Sequence, residues 1–432
     1  MYDLLRKPLL FFRRYYHALW LRVTLYALLS LVVSLVTLVL RHYLPSEWTQ
    51  LIDASAVTPV LTILASSMLA VSTFSLNVMV SAHASAAATA TPRIHRLLLQ
   101  DTTTQSVLAA FIGAFIFALT SIILFRTHLY GDEEAIVVMA ITILAVVVII
   151  IAMLRWIEHL SQLGSLDNSL DLAEREARRS LTMLRKDPAL GANLLTPDTV
   201  LPEDTTEIRA HKTGYIQFID TRSLNDCAGD QGLIYVLQRP GQFVLKGSLL
   251  AQASGLTPEA DHAAIVRGFV IGATRTHEVD AEFSLTTLSE ISSKALSPGI
   301  NDPGTAIDAI TRLTALFWQT AQIEPTPKLR APRVFCPPPA THDLFHAAFA
   351  ATARDGAGCL EVCTALRRCL LALSEAPDTE FAEAAQEMAQ RALDYANEAL
   401  PLDSEKRALV AVSPLGKTWA DQSFSTTTEP TE

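Results

Sequence analysis

A long stretch without a single charged side chain constrains this sequence more than any other feature. Between Ala54 and Pro92 there is no Lys, Arg, Asp or Glu, whereas charged residues recur every few positions from Arg155 onward. Apolar segments of about 20 residues are long enough to cross the hydrocarbon core of a bilayer as helices. The change in composition therefore predicts an apolar membrane domain followed by a water-soluble domain.

Four segments have the length and apolarity of transmembrane helices. Polar and charged residues, not a small-residue cleavage site, follow the first segment after Leu40, which predicts a signal anchor and not a removable signal peptide. We predict a transmembrane domain over residues 23–155, with spans at about 23–40, 57–81, 107–125 and 135–154.

The basic residues of the short loops predict the orientation in the membrane. The segment before the first span and the loop between the second and third contain Arg6, Lys7, Arg13, Arg14, Arg22, Arg93 and Arg96. The opposite loops contain only Arg41 and Arg126. The positive-inside rule then predicts a multi-pass protein of the bacterial inner membrane with a cytoplasmic N-terminus and a cytoplasmic C-terminal domain. Aromatic residues alternate with arginines over residues 1–22, which predicts an interfacial amphipathic segment.

The second span is unusually rich in small and hydroxyl-bearing residues. Thr62, Ser66, Thr73 and Asn77 are the candidate pore-lining residues of this span. Such residues allow close helix packing in a membrane, and they also line hydrated pores. Both interpretations favour self-association, because four helices offer little interior of their own for a long polar stripe.

The remaining sequence predicts an α+β cytoplasmic domain with a small β-barrel-like section and helices. Period-two alternation predicts short strands from Gly214 to Asp220 and from Leu233 to Gln238, with a spacing that resembles the barrel-sandwich hybrid of lipoyl and biotinyl domains. Helical periodicity and Pro-rich breaks predict the other sections. These are an amphipathic helix and linker at 156–206, the β section at 207–254, a helical section at 255–322, a C-terminal helical section at 340–412 and a disordered tail at 413–432.

Three helices are predicted within residues 255–322. One runs from Pro258 to Gly272 and the next from Asp280 to Leu296, as the spacing of their apolar residues indicates. Asp302 is placed to cap the third helix, with Pro303 at the first helical position.

The best candidate site is the sharp turn from Ser297 to Thr305 that precedes the third helix. Backbone N–H groups at such a helix N-terminus suit an anion or a carboxylate, and a nearby arginine can add a planar pair of donors. The alternative is a turn whose polar groups satisfy only the backbone. The candidate ligand-binding residues are Arg275, Asp280, Ser297, Asn301, Asp302, Gly304 and Thr305.

The same region resembles a known family. Arg275-Thr276, the step from Asp280 to Phe283 and the run Ala-Leu-Ser-Pro-Gly-Ile-Asn-Asp-Pro-Gly-Thr-Ala at 295–306 are similar to bacterial membrane proteins known as domain of unknown function 2254. The resemblance covers nearly the whole chain, although the family typically has Gln-Asp where this sequence has Val279-Asp280. It implies the same architecture, and it implies no activity because none is established for the family.

Metal chemistry has little support in the sequence. His342 and His346 are one helical turn apart, as are Cys359 and Cys363, so the two pairs could together hold zinc. Cysteine is also a common small core residue. A helix would not bring together the metal-capable side chains of His277, Glu278, Asp280 and Glu282. No metal or cofactor is predicted, and the five cysteines, which all follow the membrane region, are predicted to be reduced.

Composition narrows the classes of function. A net charge of -10 without a long basic run argues against a nucleic-acid partner, and the common nucleotide-binding and hydrolase motifs do not occur. Three hypotheses remain: a homo-oligomer of channel or transport type with a cytoplasmic gating or sensing domain, a non-conducting membrane-anchored scaffold or sensor, and a membrane enzyme of unknown reaction. The predicted partners are the lipid bilayer, further copies of the chain and a small ligand or ion of unknown identity.

Overall fold

The computed structural model describes residues 19–40, 52–89, 91–98, 102–162, 164–256 and 262–415. The chain divides into two compact units, residues 1–169 and 170–432. Nearly all of the predicted interfacial segment at 1–22 and most of the predicted tail at 413–432 lie outside the described residues.

The first unit is built from helices. Four of them are long and apolar enough to cross a membrane, which confirms the four predicted apolar helices. One of these has 36 residues and is therefore about 54 Å long, well beyond the roughly 30 Å of a hydrocarbon core. The helices are α1 (Leu19–Leu40), α2 (Ala54–Thr89), α3 (Pro92–Leu98), α4 (Thr102–Arg126) and α5 (Asp132–Gln162).

Helix α4 is the central element of this unit. It packs against α1, α2 and α5, and its apolar window is 50% buried whereas that of α1 is 11% buried. Gly113 allows α1 to approach closely, because a Cβ atom there would lie 3.3 Å from the Cβ of Tyr26. The Ser30 hydroxyl donates to the Gly113 carbonyl at 2.8 Å in the same contact. Small residues commonly create such close helix contacts in membranes.

The second unit contains two sheets that share one apolar core. In the five-stranded sheet, β8 pairs in parallel with both β1 and β4, whereas the other pairs of both sheets are antiparallel. The five-stranded sheet has the order β1 (Ala192–Leu194), β8 (Ala331–Cys336), β4 (Leu233–Val236), β6 (Leu249–Ser254) and β2 (Thr206–Arg209). The three-stranded sheet has the order β5 (Phe243–Val244), β3 (Gly214–Ile219) and β7 (Phe269–Gly272). Within the described residues neither sheet closes into a barrel.

The predicted helix from Pro258 to Gly272 is wrong in its last five residues. A short helix ends at Arg267, and Phe269–Gly272 forms β7 against β3. Phe269 and Ile271 are buried whereas Val270 between them is exposed. This alternation has the period of a strand and not of a helix.

Helices form the rest of the second unit. Phe317, Phe345, Phe349 and Phe381 form an aromatic cluster at its centre, with 4.3 Å between the ring centroids of Phe317 and Phe345. Asp302 caps its helix as predicted, and Asp280 also caps the helix that follows it. The helices are α6 (Leu166–Lys186), α7 (Thr221–Ala228), α8 (His262–Arg267), α9 (Ala281–Ala295), α10 (Pro303–Ala321), α11 (Thr341–Asp355), α12 (Leu360–Leu373), α13 (Thr379–Ala399) and α14 (Asp403–Val410).

Candidate functional site

Arg275 and Asp280 form a buried, bidentate ion pair at the start of α9. The Arg275 Nε and Nη2 atoms donate to the two carboxylate oxygens of Asp280 at 2.7 and 2.8 Å. The same carboxylate accepts from the backbone N–H of Phe283 at 2.9 Å, so it also caps the helix. The Asp280 side chain is only 3% exposed. The carboxylate oxygens of Asp280 thus accept hydrogen bonds from other groups of the protein.

Neighbouring side chains hold the guanidinium of Arg275 in place. It lies over the Phe283 ring at 5.1 Å from the centroid, and His277 stacks on the same ring at 4.5 Å. Burial lowers the pKa of Arg275, but its hydrogen bond with Asp280 and the charges of Asp280 and Glu282 raise it more, so the pKa lies above its ordinary value. The arginine therefore remains a fixed positive charge.

Gly241 allows a turn of the chain to approach this ion pair. Its φ is +94°, and a Cβ atom at this position would lie 2.3 Å from an oxygen of Asp280. The Gly241 N–H donates to the Ile216 carbonyl at 2.8 Å, which joins the turn to β3. The ion pair therefore packs against the turn while it caps α9. The sequence shows a Pro-Gly turn at Gly241, but it does not show that this turn packs against the ion pair.

The Ser297–Thr305 turn lies at the other end of α9. This helix has 15 residues, about 22 Å of length. The structure therefore divides the candidate ligand-binding residues into two groups, Arg275 with Asp280 at one end, and Ser297, Asn301, Asp302, Gly304 and Thr305 at the other.

Several polar groups of the turn bond within the turn itself, and the N–H groups of Ser297 and Asp302 donate to carbonyls of α9. The N–H groups of Ile300 and Asn301 both donate to the Ser297 carbonyl, at 3.0 and 2.9 Å. Asp302 accepts from the Thr305 hydroxyl at 2.6 Å and from its N–H at 3.1 Å, and these bonds lower the pKa of Asp302. The Asp302 carboxylate thus occupies the position at the α10 N-terminus that an anion would take.

Asn301 adopts a left-handed conformation, with a φ of +52°. Asparagine and glycine tolerate this conformation better than alanine does. We expect Asn301→Ala to lower the stability of the folded protein by about 1 kcal/mol, whereas Asn301→Gly should have a smaller effect. Thermal unfolding of the purified variants measures both. Equal losses for the Ala and Gly variants would contradict this role of the backbone.

The His and Cys pairs do not form a zinc site. His342 Nε2 lies 3.0 Å from a Glu387 oxygen. The Cys363 thiol donates to the carbonyls of Gly356 and Ala357, and burial, together with Cys359, raises its pKa to about 11. Among the described residues, no three His, Cys, Asp or Glu side chains are placed to hold a metal ion.

The candidate pore-lining residues share one face of α2. Thr62, Ser66, Thr73 and Asn77 are all exposed in the isolated chain and lie within about 60° of one another at 3.6 residues per turn. Leu61, Leu64 and Met68, on the opposite face, belong to the core of the bundle. We call the four exposed residues the polar stripe.

The hydroxyl groups of three polar-stripe residues donate hydrogen bonds to the backbone of α2 itself. Thr62, Ser66 and Thr73 each donate to the carbonyl four residues earlier, at 2.9 Å. Asn77 differs, because its carboxamide has no hydrogen-bond partner in the part of the chain that the structure describes. An amide without a partner is costly at membrane depth.

Four apolar helices of spanning length, joined to a mixed helix and sheet region, define an integral membrane protein. Comparison with known families gives the same result. The family described as "Predicted membrane protein (DUF2254)" matches residues 16–372. The chain belongs to this family, which confirms the resemblance found in its motifs.

The curated relatives are themselves uncharacterised. The chain is 26% identical over 232 residues to the "Uncharacterized protein Mb1321c" of Mycobacterium bovis, a match that covers 52% of this chain and 44% of the relative. The same values hold for the "Uncharacterized protein Rv1290c" of Mycobacterium tuberculosis. The chain thus matches less than half the length of these relatives. No solved structure is significantly similar to it.

Proposed function

We propose that the protein is a homo-oligomer of channel or transport type in the bacterial inner membrane. Helix α2 from several copies surrounds a central path, and the second unit acts as a cytoplasmic gate or sensor. The observation that carries this proposal is the polar stripe, which faces away from the core of its own bundle.

The physical argument rests on the environment that the polar stripe requires. If a single chain were surrounded by lipid, the polar stripe would face acyl chains, and the Asn77 carboxamide, about 35 Å along α2 from Ala54, would lie without a partner near the edge of the hydrocarbon core, which is costly. A second copy, or water held between copies, removes this cost. The core of the bundle is filled by apolar side chains such as Phe111 and Phe117. A hydrated path therefore fits between chains better than within one.

The ligand contact of the proposed sensor lies on the Ser297–Thr305 turn. Residues 298–301 of this turn are exposed, whereas Arg275 and Asp280 are already paired with each other. The non-conducting scaffold remains the second candidate, because a stripe of small polar residues also serves dry helix packing. A membrane enzyme is the third.

Cysteine substitution on α2 tests the proposed arrangement. Thr73→Cys should form oxidative cross-links between copies and should react with a water-soluble maleimide at membrane depth. Leu144→Cys is the matched control, since Leu144 is 63% exposed on α5 but lies off the polar stripe. Cross-linking without labelling would favour the scaffold, and the absence of both from Thr73→Cys would contradict the homo-oligomer.

The proposed orientation has its own test. Gln50, which lies outside the described residues, is proposed to face the periplasm, and Gly191 is proposed to face the cytoplasm. In intact cells, an impermeant thiol reagent should label Gln50→Cys and should leave Gly191→Cys unlabelled until the cells are opened. The native chain measures the background from its own cysteines. The reverse pattern would overturn the orientation.

A further inference from the structure

We propose that the outer face of the three-stranded sheet in the second unit contacts the anionic surface of a lipid bilayer. The inner face of this sheet belongs to the apolar core, through Ile216, Ile219, Val244, Phe269 and Ile271. The outer face also carries large apolar side chains, and these are exposed. The proposal goes beyond the channel hypothesis and does not depend on conduction.

Cross-strand pairs place the exposed apolar side chains on this outer face. Tyr215 of β3 lies opposite Phe243 of β5, with 4.9 Å between their ring centroids. Phe218 of β3 lies opposite Val270 of β7, and these residues are 36% and 40% exposed. Phe243 and, two residues later, Leu245 are 55% and 60% exposed. Exposed apolar patches of this kind mark contacts with a protein or a membrane.

Two neighbouring turns add positive charge at the edge of the outer face. The Lys246 N–H donates to the Thr213 hydroxyl oxygen at 3.0 Å, which joins the turn at 245–248 to the one at 211–213. Lys212 and Lys246, one in each turn, have exposed side chains. Neither lysine has an ion-pair partner in the part of the chain that the structure describes. Both charges are therefore available to a partner outside the chain.

The surrounding residues leave the charge of these lysines uncompensated. Arg209 donates to the Gly247 carbonyl beside the turn, but its charge is balanced by Glu207 at 2.5 Å. The net charge of the whole chain is -10, whereas the segments that build this sheet and its turns contain no Asp or Glu. These segments are 210–219, 242–248 and 269–274. Charge complementarity thus favours an anionic partner.

An anionic bilayer suits both the apolar and the charged part of this surface. Aromatic and aliphatic side chains enter the headgroup region, while lysines extend their flexible side chains to the lipid phosphates. The chain is joined to helices that span the bilayer, so the membrane is present at a high effective concentration. A second copy placed face to face on the same surface would instead oppose the lysines of one chain to those of the other, which is unfavourable.

Photocrosslinking of the full-length protein tests this contact. Phe243→p-benzoylphenylalanine places a photoreactive aromatic group on the outer face at an exposed position. The variant is reconstituted into nanodiscs of equal parts phosphatidylcholine and phosphatidylglycerol and irradiated, and mass spectrometry identifies the adducts. We expect lipid adducts in which phosphatidylglycerol exceeds phosphatidylcholine about fivefold, since a single lysine near an anionic surface already favours it by this factor.

Two variants serve as matched controls. Val200→p-benzoylphenylalanine carries the same group at a residue of the second unit that is 87% exposed but lies between Asp198 and Glu203, and it should yield no lipid adduct. Lys212→Gln/Lys246→Gln, in the first photoreactive background, should give equal adducts with the two lipids because both unpaired charges are gone.

Each other outcome contradicts the proposal. A cross-linked dimer at Phe243 would overturn it in favour of a second copy. The absence of lipid adducts, or equal adducts with the two lipids while both lysines are present, would also overturn it. If the Phe243 variant fails to fold, Leu245→p-benzoylphenylalanine gives the same readout, since Leu245 lies in an exposed turn. The adducts report neither flux nor assembly, so the channel hypothesis can fail without affecting this result.

Discussion

Asn77→Asp should change the cation selectivity of the reconstituted protein several-fold. If α2 surrounds a hydrated path, each copy then contributes one carboxylate at the same depth, and acidic rings favour cations. Asn77 is the residue of choice because its side chain is exposed on α2 and has no partner in the described chain. Ion flux into liposomes or single-channel recording measures the ratio of cation to anion permeability.

The alternative, in which Asn77 lies in a water-free interface between packed helices of a non-conducting scaffold, predicts a different result for the same variant. A carboxylate between packed helices costs about 3 kcal/mol or more at membrane depth, so the oligomer should weaken or fail to assemble. Asn77→Ser is the matched control, since it keeps a polar group without adding charge. An intact oligomer with no flux in the native protein and in either variant would contradict the channel and leave the scaffold as the better hypothesis.

Asp280→Ala should lower the stability of the second unit by about 3 kcal/mol. The change removes the cap of α9 and leaves the guanidinium of Arg275, which is 20% exposed, without its bidentate partner. For a unit of this size, the loss corresponds to a fall of about 6–12 °C in melting temperature. Thermal unfolding of the full chain in detergent, followed by circular dichroism, measures it.

A double-mutant cycle separates the ion pair from the cap. Arg275→Met removes the charge but keeps the helix cap, and the double variant should be less destabilised than the sum of the single variants. Asp280→Asn retains an acceptor for the Phe283 N–H and should fall between native and Asp280→Ala. Strictly additive losses would show that Arg275 and Asp280 do not stabilise each other.

The elements that sequence predicted correctly are those with a local cause. The four apolar helices follow from composition, and the cap at Asp302 follows from short-range hydrogen bonding. Strand β7 was missed because the decisive contact is with β3, far away in the chain. The alternation of the strand, in which Phe269 and Ile271 are buried and Val270 is exposed, becomes evident only once this partner strand is known.

Chemistry-bearing residues were harder to interpret than secondary structure. Arg275 and Asp280 have the side chains of a ligand site, and only the structure shows that they satisfy each other against Gly241. The polar stripe was visible as a spacing, but its exposure depends on which face of α2 packs on α4.

The position of β8 in the five-stranded sheet has a consequence for biosynthesis. This strand separates β1 from β4, yet it leaves the ribosome about a hundred residues after β4, roughly 5 to 20 s later at ordinary translation rates. Until then the backbone edge of β4 at Ile234 and Tyr235 is unpaired, and open strand edges are sites of aggregation. A chain truncated before Ala331 would keep this edge open permanently. During synthesis, the edge of β4 therefore has to be protected from aggregation until β8 has left the ribosome.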